Sequence, residues 1–267
     1  MKAKVRKLEG GAGKELQLPG QFESEYRPDL IKRAVLAIQS HNTQPYGAKP
    51  DAGLRASAEL SRRRRKYRGS YGKGISRVPR KILSARGLQF NWAGAVAPGT
   101  VGGRRAHPPK AGKYPCKKIN AKERKKALCS AIAASANKEL VKGRGHRFNE
   151  VPLIIDNGAE KLDKTKDIIK FLEKLGMKEE LERTKEKKIR AGKGKARGRR
   201  YKKKKGPLIV VSGKCKLQKS AAAIPGVEVV VVDSLNTLLL APGAVAGRLT
   251  LWTEGAIEKL GKKKLFI

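Results

Sequence analysis

The chain has 267 residues, of which 63 are Lys or Arg and 23 are Asp or Glu, giving a formal net charge of +40 at pH 7. No apolar run approaches the roughly 20 residues of a membrane helix, and residues 1–15 lack the apolar stretch of a signal peptide. The three cysteines lie far apart, without a CxxC pair or a histidine at ligand spacing. We therefore expect reduced thiols in a cytosolic protein, with no metal, no cofactor and no membrane partner.

The first predicted elements are a hairpin and a helix. Residues 5–18 alternate weakly around Gly10 and Gly11, which favours a small hairpin. A helix is predicted from Pro28, a residue suited to the first turn, to about His41. Residues 1–44 are assigned to a globular domain, and the sequence PYGAKPDAG then breaks the chain.

A long stretch without acidic residues follows. Residues 60–122 contain 18 Lys or Arg, nine Gly and five Pro, but no Asp or Glu. Gly and Pro interrupt both helix and strand patterns, and like charges repel, so this segment is not expected to form a core of its own. We predict an extended basic loop over 45–118, disordered unless a polyanion orders it, with Tyr67, Tyr71 and Tyr114 able to stack on bases. Its middle, residues 84–103, has one charge, Arg86.

The remainder, residues 119–267, alternates helical and strand patterns. A helix over 122–140 is predicted to begin at Asn120, with Glu123 completing a capping box. Further helices are predicted over 165–175, 179–184, 234–240 and 254–260. Ser234 and Thr253 are the predicted N-caps of the last two. Apolar, mostly β-branched runs predict buried strands over 151–156, 207–213, 227–233 and 248–252. The fold class is therefore α/β, a three-layer α/β/α domain with a mainly parallel sheet and a long extended internal loop.

A second stretch without acidic residues interrupts this domain. Residues 187–227 carry 15 Lys or Arg and no Asp or Glu, and the densest part is a second basic loop over 187–206. Outside the two stretches the chain has 30 basic and 23 acidic residues, a net charge of only +7. Such localised positive charge is typical of nucleic-acid binding, through phosphate neutralisation and counterion release.

Signals for catalysis are weak. No GxGxxG follows a strand, and GGAGKE at 10–15 lacks the first Gly of a phosphate-binding loop. Asp156 and Asp233 each close a predicted strand, where we favour a cap or loop role over a catalytic one. An RNA-modifying or RNA-cleaving enzyme remains the alternative if these two carboxylates converge in a pocket. An architectural DNA-binding protein is a third possibility.

Several sequence blocks resemble one known family. They are PYG at 45–47, GKGISRVPR at 72–80, GGRRAHPPK at 102–110, ALCSAIAASA at 127–136, RGH at 144–146, RAGKGKARGR at 190–199 and LAPGAVAGRLTLWTEGA at 240–256. The chain is similar, over nearly its whole length, to the archaeal type of the universal large-subunit ribosomal protein four family. The resemblance implies a non-enzymatic constituent of the large ribosomal subunit in the cytoplasm. It also implies that the long loop passes through 23S-type rRNA to the wall of the nascent-peptide exit tunnel, beside the ribosomal protein twenty-two family.

From the basic stretches and this resemblance we predict two sets of site residues. The predicted rRNA-binding residues are Arg62, Arg63, Arg64, Arg65, Lys66, Tyr67, Arg68, Tyr71, Lys73, Arg77, Arg80, Lys81, Arg104, Arg105, His107, Lys110, Lys113, Arg190, Lys193, Lys195, Arg197, Arg199, Arg200 and Lys202. The residues that the resemblance places at the tunnel-facing loop end, near the nascent polypeptide, are Arg86, Leu88, Gln89, Phe90, Asn91, Trp92 and Val96.

Overall fold

The computed structural model describes residues 1–8, 11–113 and 115–266. The chain divides into two units, one made of Met1–Asn42 together with the chain from Lys117 onward, the other of Thr43–Cys116. The first unit contains the α/β elements, and the second contains most of the long basic stretch.

The structure contains the predicted elements in the predicted order, together with four strands and one short helix that the sequence patterns did not predict. The strands are β1 (Lys2–Arg6), β2 (Ala12–Gln17), β3 (Arg80–Arg86), β4 (Gln89–Gly94), β5 (Leu153–Ile155), β6 (Lys187–Ile189), β7 (Tyr201–Lys203), β8 (Leu208–Val211), β9 (Glu228–Val231) and β10 (Thr250–Thr253). The helices are α1 (Pro28–His41), α2 (Ala121–Ala136), α3 (Lys138–Gly143), α4 (Thr165–Lys174), α5 (Lys178–Lys185), α6 (Leu217–Ala221), α7 (Thr237–Leu240) and α8 (Glu254–Lys262).

A six-stranded sheet is the centre of the first unit. Its strand order is β2-β1-β5-β10-β8-β9, and only the β1–β2 pair is antiparallel. The residues of β5, β8 and β10 are all buried, as expected for strands covered on both faces. The predicted mainly parallel sheet and the predicted hairpin at the N-terminus are therefore confirmed.

Two hydrophobic clusters cover the two faces of the sheet. Val210 and Trp252 face the cluster that includes residues of α1, α2 and α8. Their neighbours Val211 and Leu251 face the other cluster, with residues of α4, α5 and α6. Successive side chains on a strand point to opposite faces, so this alternation sets the sheet between two helical layers. The predicted three-layer α/β/α arrangement is confirmed.

The structure corrects two of the predicted N-caps. Asn120 precedes α2 but makes no side-chain cap hydrogen bond, and Glu123 pairs instead with Arg33 of α1 at 3.1 Å. The capping box is therefore wrong, because an interhelical ion pair holds the glutamate. Ser234 lies in a 3₁₀ turn, and the side chain of Asn236 caps α7 by accepting from the amide of Leu239 at 2.9 Å.

The predicted helix over 122–140 is also interrupted. Asn137 has an extended backbone (φ −86°, ψ 117°), and its side chain accepts from the amides of Glu139 and Leu140. The sequence therefore forms α2 and α3 as separate helices, because an asparagine side chain competes with the helical hydrogen bonds and caps the second one. By contrast, Thr253 caps α8 as predicted, accepting from the amide of Ala256.

Arg248 is the largest charged side chain within the sheet layer and is fully buried. Its Nε donates to the carbonyl of Gly206 at 2.9 Å, and Nη1 donates to the Glu228 carboxylate at 2.6 Å and to the carbonyl of Leu239 at 2.9 Å. Burial raises the pKa of Glu228, but hydrogen bonds from Lys205 and Arg248 outweigh it and hold that pKa below its usual value. This side chain thus joins the segment before β8, the start of β9 and helix α7.

We expect Arg248→Ala to lower the free energy of unfolding by about 3–5 kcal/mol, because one oxygen of a partly buried carboxylate and two carbonyls lose the hydrogen bonds that Arg248 donates. The matched control is Lys262→Ala, which breaks an exposed pair with Glu258 and should cost less than about 1 kcal/mol. Denaturant unfolding followed by tryptophan fluorescence measures both, since Trp252 is buried in the same sheet. Equal effects of the two substitutions would contradict this role for Arg248.

Candidate nucleic-acid-binding surface

The long basic stretch contains an antiparallel hairpin. Strands β3 and β4 pair from Arg80 opposite Gly94 to Arg86 opposite Gln89, and Gly87 at the turn has a φ of 56°. The expectation that Gly and Pro interrupt strand structure is wrong here, because Pro79, Gly87 and Gly94 fall at the ends of the strands. Among the described residues of 43–116, only Gly69, Ser70 and Ala95 are buried. The unit therefore has strand pairing but almost no apolar core. The near absence of a core agrees with the expectation that this segment does not form one of its own.

Aromatic rings and cations stack on one face of this hairpin. Phe90 and Trp92, two residues apart on β4, have ring centroids 5.1 Å apart, and Tyr67 meets Phe90 edge-on at 5.4 Å. The Lys73 ammonium lies 4.7 Å from the Phe90 centroid and 4.9 Å from that of Trp92. A similar contact joins Arg77 to Tyr71 at 4.2 Å. The Lys73 contacts hold this lysine against the hairpin, and none of these cation–π contacts involves a carboxylate.

The predicted rRNA-binding residues of this unit lie almost entirely at the surface. All are exposed except Tyr71 and Arg80, which are half-buried. The guanidinium of Arg80 donates to the carbonyl and hydroxyl of Ser76, at 2.7 and 2.9 Å. Tyr114, which we also predicted to stack on bases, lies outside the described residues.

The structure separates the predicted loop-end residues into two groups. Phe90 and Trp92 are half-buried in the aromatic cluster, and Val96, at a φ of 63°, is half-buried too. Arg86, Leu88, Gln89 and Asn91 are exposed, and Leu88 at the turn is 81% exposed. Gln89 and Asn91 alternate with the two aromatic residues along β4, so they point to the opposite face of the hairpin.

Two of the sequence blocks come together in this unit. The amide of Ala48 donates to the carbonyl of Pro109 at 2.9 Å, and a Cβ on Gly47 would lie only 2.6 Å from the backbone nitrogen of Ala111. Between the two segments is an open cavity of about 1050 Å³, lined by Tyr46, Arg105, His107, Lys110, Lys113 and several prolines. Tyr46 is 76% exposed, which places an aromatic face beside four basic or titratable side chains.

Tyr46 was missed by the sequence prediction. Its position next to 105–113 depends on a contact between segments about 60 residues apart, and only the glycine at 47 hints at a close approach. An exposed ring beside cations suits an unpaired nucleobase, because bases stack on aromatic side chains and phosphates pair with Lys and Arg.

The second basic loop is also a hairpin. Strands β6 and β7 pair Lys187 with Lys203, Lys188 with Lys202 and Ile189 with Tyr201, and all six residues are exposed. Like charges directly opposite each other destabilise a two-stranded ribbon. A polyanion that lay across the strands would neutralise both lysines of a pair and remove this repulsion.

The residues between β6 and β7 form a compact turn that projects its cations outward. Backbone contacts run from the amide of Arg190 to the carbonyl of Arg200 at 2.8 Å and from the amide of Arg199 to that of Gly194 at 3.0 Å. Arg190 is half-buried, and its Nε donates to the carbonyl of Arg199 at 3.1 Å. The other predicted residues of this loop are exposed, and they form no ion pair within the part of the chain that the structure describes. They are Lys193, Lys195, Arg197, Arg199, Arg200 and Lys202.

The two strand-end aspartates do not form a shared site. Strands β10 and β8 lie between β5, which ends before Asp156, and β9, which ends before Asp233. At about 4.8 Å per strand, the two ends are roughly 14 Å apart. Asp233 pairs with Lys259, whereas Asp156 lines a different, shallow cavity with Lys7, Lys14 and Glu254. The structure therefore gives no support to the enzyme alternative.

Within residues 1–8, 11–113 and 115–266, no cluster of His, Cys, Asp and Glu could hold a metal ion. No helix in these ranges is long and apolar enough to cross a membrane.

Comparison with known proteins identifies close relatives. The family model described as "Ribosomal protein L4/L1 family" matches residues 16–263. The large ribosomal subunit protein uL4 of Nanoarchaeum equitans is 50% identical over 268 residues, covering 100% of both chains. The proteins of the same name from Archaeoglobus fulgidus and Methanocaldococcus jannaschii are each 48% identical, covering 98% of this chain and 99% of their own.

Proposed function

The chain belongs to the ribosomal protein L4/L1 family, and on that premise we propose that it is a structural constituent of the large ribosomal subunit in the cytoplasm. It binds large-subunit rRNA and has no catalytic role, since the family is structural and nothing in the relatives favours an enzyme. The observation that carries the rRNA-binding proposal is the segregation of charge. The cations of 60–113 and 187–205 are mostly exposed, in stretches that contain no acidic residue.

Different residues of this surface suit different parts of RNA. The exposed arginines and lysines of 62–81, 104–113 and 190–202 are proposed to contact phosphates, which fixes position without reading sequence. Tyr46 and Tyr67, both exposed, are proposed to stack on unpaired bases. Glycines at positive φ, such as Gly192 and Gly198, let the backbone turn tightly beside a phosphate ridge.

The association with ribosomes can be tested by expressing a tagged copy of the chain in an archaeal host. We expect it to sediment with large subunits and to leave them only at high salt, because the binding is dominated by counterion release. Sedimentation as a free protein at low salt would contradict the proposal. Equally tight binding to duplex DNA and to folded rRNA would favour the architectural DNA-binding alternative.

A finer proposal concerns the β3–β4 turn. We infer that it reaches the wall of the nascent-peptide exit tunnel, beside the protein twenty-two family, and lies near the nascent polypeptide. The support is its composition. A segment held entirely by rRNA gains affinity from each cation, yet residues 84–103 carry only Arg86. The exposed residues Leu88, Gln89 and Asn91 are uncharged, which suits a surface that passing chains do not adhere to.

Acidic substitutions at the turn test this placement. We expect Leu88→Asp/Gln89→Glu/Asn91→Asp to assemble into large subunits at near-normal levels, because these side chains are exposed and outside the aromatic cluster. The variant should change nascent-peptide stalling severalfold and alter the response to tunnel-binding macrolide-type drugs. Ribosome profiling and subunit gradients measure the two effects.

The matched control carries the same number of acidic substitutions on the basic shoulder, Arg63→Glu/Arg64→Glu/Lys66→Glu, and should impair assembly instead. If the turn variant failed to assemble while translation on the assembled ribosomes stayed normal, the turn would be an rRNA anchor. The tunnel placement would then be wrong.

A further inference from the structure

An open cavity of about 730 Å³ lies in the α/β unit, remote in sequence from both acid-free hairpins. The 3₁₀ turn Gly20–Glu23, the start of α1 and the first half of α2 line it, together with Phe266 after α8. Gln21 holds the end of α8 and the residues after it in place, since its Nε2 donates to the carbonyls of Leu260 and Leu265 at 3.3 and 3.0 Å. The Cys129 thiol donates to the carbonyl of Phe266 at 3.1 Å. The cavity is therefore held by specific hydrogen bonds.

The floor and the rim of this cavity differ in chemistry. Leu30, Cys129 and Phe266 provide an apolar floor. Lys122, Lys125 and Lys126 lie at spacings of three and four residues on α2, on the same helix face as Cys129, and all three lysines are exposed. Lys122 and Lys126 are four residues apart and repel each other, and a carboxylate placed between them would remove that repulsion. A cavity of this size with an apolar floor is within the range of ligand-binding pockets.

The surroundings fit a protein segment better than RNA. Glu25 lines the cavity, whereas both proposed rRNA-binding hairpins lie in stretches without carboxylates. A phosphate backbone would meet the Glu25 carboxylate, but a peptide can direct amides or cations to it and carboxylates to the lysines. Mixed charge around an apolar pocket is the usual anatomy of a protein–protein contact, with an anchor side chain at the centre and a polar rim.

We propose that this cavity docks an acidic segment of a partner protein, which inserts one large apolar side chain over Leu30, Cys129 and Phe266 and sets its carboxylates against Lys122 and Lys126. The partner is a protein, and RNA is the competing outcome of the test. This proposal is independent of rRNA binding by the two basic hairpins and would survive the failure of the tunnel placement.

The probe is a fluorescein-labelled peptide Asp-Glu-Trp-Glu-Asp with blocked termini, compared with the same peptide carrying Ala in place of Trp. Fluorescence anisotropy is recorded with the full chain at about 0.3 M salt. The Debye length is then less than about 8 Å, so the attraction between exposed charges that lie farther apart is largely screened. We expect the Trp peptide to bind about tenfold or more tightly than the Ala peptide, the scale for burying one large side chain. A labelled uridine pentanucleotide serves as the RNA probe.

The blocking variant is Gly20→Trp. A Cβ at Gly20 would meet no atom within 4 Å, so the ring can occupy the cavity without displacing backbone. Gly213→Trp is the control, since Gly213 has equally open surroundings and does not line the cavity. We expect Gly20→Trp to abolish the difference between the Trp and Ala peptides and Gly213→Trp to preserve it.

A second variant removes the rim charges without touching the floor. Lys122→Ser/Lys126→Ser should weaken the Trp peptide about tenfold, whereas Lys166→Ser/Lys170→Ser on α4 should have little effect. All four lysines are exposed, so these variants are expected to fold even if Gly20→Trp does not. Equal binding of the Trp and Ala peptides to the wild-type chain would overturn the proposal. So would loss of pentanucleotide binding in Gly20→Trp with peptide binding unchanged, which would assign the cavity to RNA.

Discussion

Replacement of Lys193, Lys195, Arg197, Arg199 and Arg200 by Ala is expected to flatten the salt dependence of rRNA binding by about 3.5 to 4.5 log-log units. Each phosphate contact contributes about 0.7–0.9 unit to the slope, because its formation releases condensed counterions. Between 50 and 200 mM salt, the five contacts account for roughly a hundredfold or greater change in affinity. Filter binding or anisotropy with a large-subunit rRNA fragment, repeated over this salt range, measures the slope.

These five side chains can be replaced without breaking the contacts that hold the hairpin together. Their side chains are exposed, and the turn is held by backbone hydrogen bonds that Ala retains. Arg190 is left in place because its Nε donates to the carbonyl of Arg199 within the turn. The fold of the hairpin should therefore survive while its outward charge is lost.

A matched control distinguishes specific phosphate contacts from a general loss of positive charge. Lys166, Lys170, Lys174 and Lys178 are exposed on α4 and α5, where Asp167, Glu173 and Glu179 are interspersed. Their replacement by Ala should change the slope by less than about one unit. An unchanged slope in the hairpin variant would mean that those cations are only a solvated face.

The second large effect is expected in limited proteolysis of the free protein. Trypsin should cut between Arg62 and Lys118 at least about a thousandfold faster than within the six-stranded sheet of the α/β unit and the helices that cover it. The α/β unit must open against a free energy of several kcal/mol before cleavage, whereas the described residues of 43–116 bury little besides Gly69, Ser70 and Ala95. The exposed like charges lower the stability of that unit further.

Addition of the rRNA fragment should protect the same sites, because neutralisation by phosphates removes the repulsion and orders the segment. Mass spectrometry of the earliest fragments identifies the cuts. Protection of 62–118 in the absence of RNA would show that the unit is ordered by its own contacts, such as the Phe90–Trp92 stack and the Lys73 contacts. The expected dependence on RNA would then be incorrect.

The sheet could be predicted because its strands carry their own signal. The LIVV run of β8 and the TLWT run of β10 are short, apolar and buried on both faces, and the alternating helices require parallel crossovers. The short helix α6 and the hairpins β3–β4 and β6–β7 were not predicted. Strands such as RKILSAR and KKI are polar and exposed, so no buried face imposes a period of two on their sequences.

The candidate surface was predictable in composition but not in arrangement. The absence of Asp and Glu over 60–122 and 187–227 indicates a polyanion partner from the sequence alone. The convergence of Tyr46 with Arg105 and His107 depends on pairing between distant segments. The stacking of Phe90 and Trp92 beneath Lys73 likewise requires the hairpin register, and it leaves Leu88, Gln89 and Asn91 as the exposed residues of the turn.

The most direct test of rRNA binding by these stretches is the reactivity of lysine amines toward an acetylating reagent. Intact large subunits are compared with the free chain by quantitative mass spectrometry. We expect Lys73, Lys81, Lys110, Lys193 and Lys195, which are all exposed in the free chain, to lose about tenfold or more of their reactivity. Lys166 and Lys170 on α4 should change far less. Equal reactivity of the first group in subunits and in the free chain would contradict the assignment of these residues to rRNA.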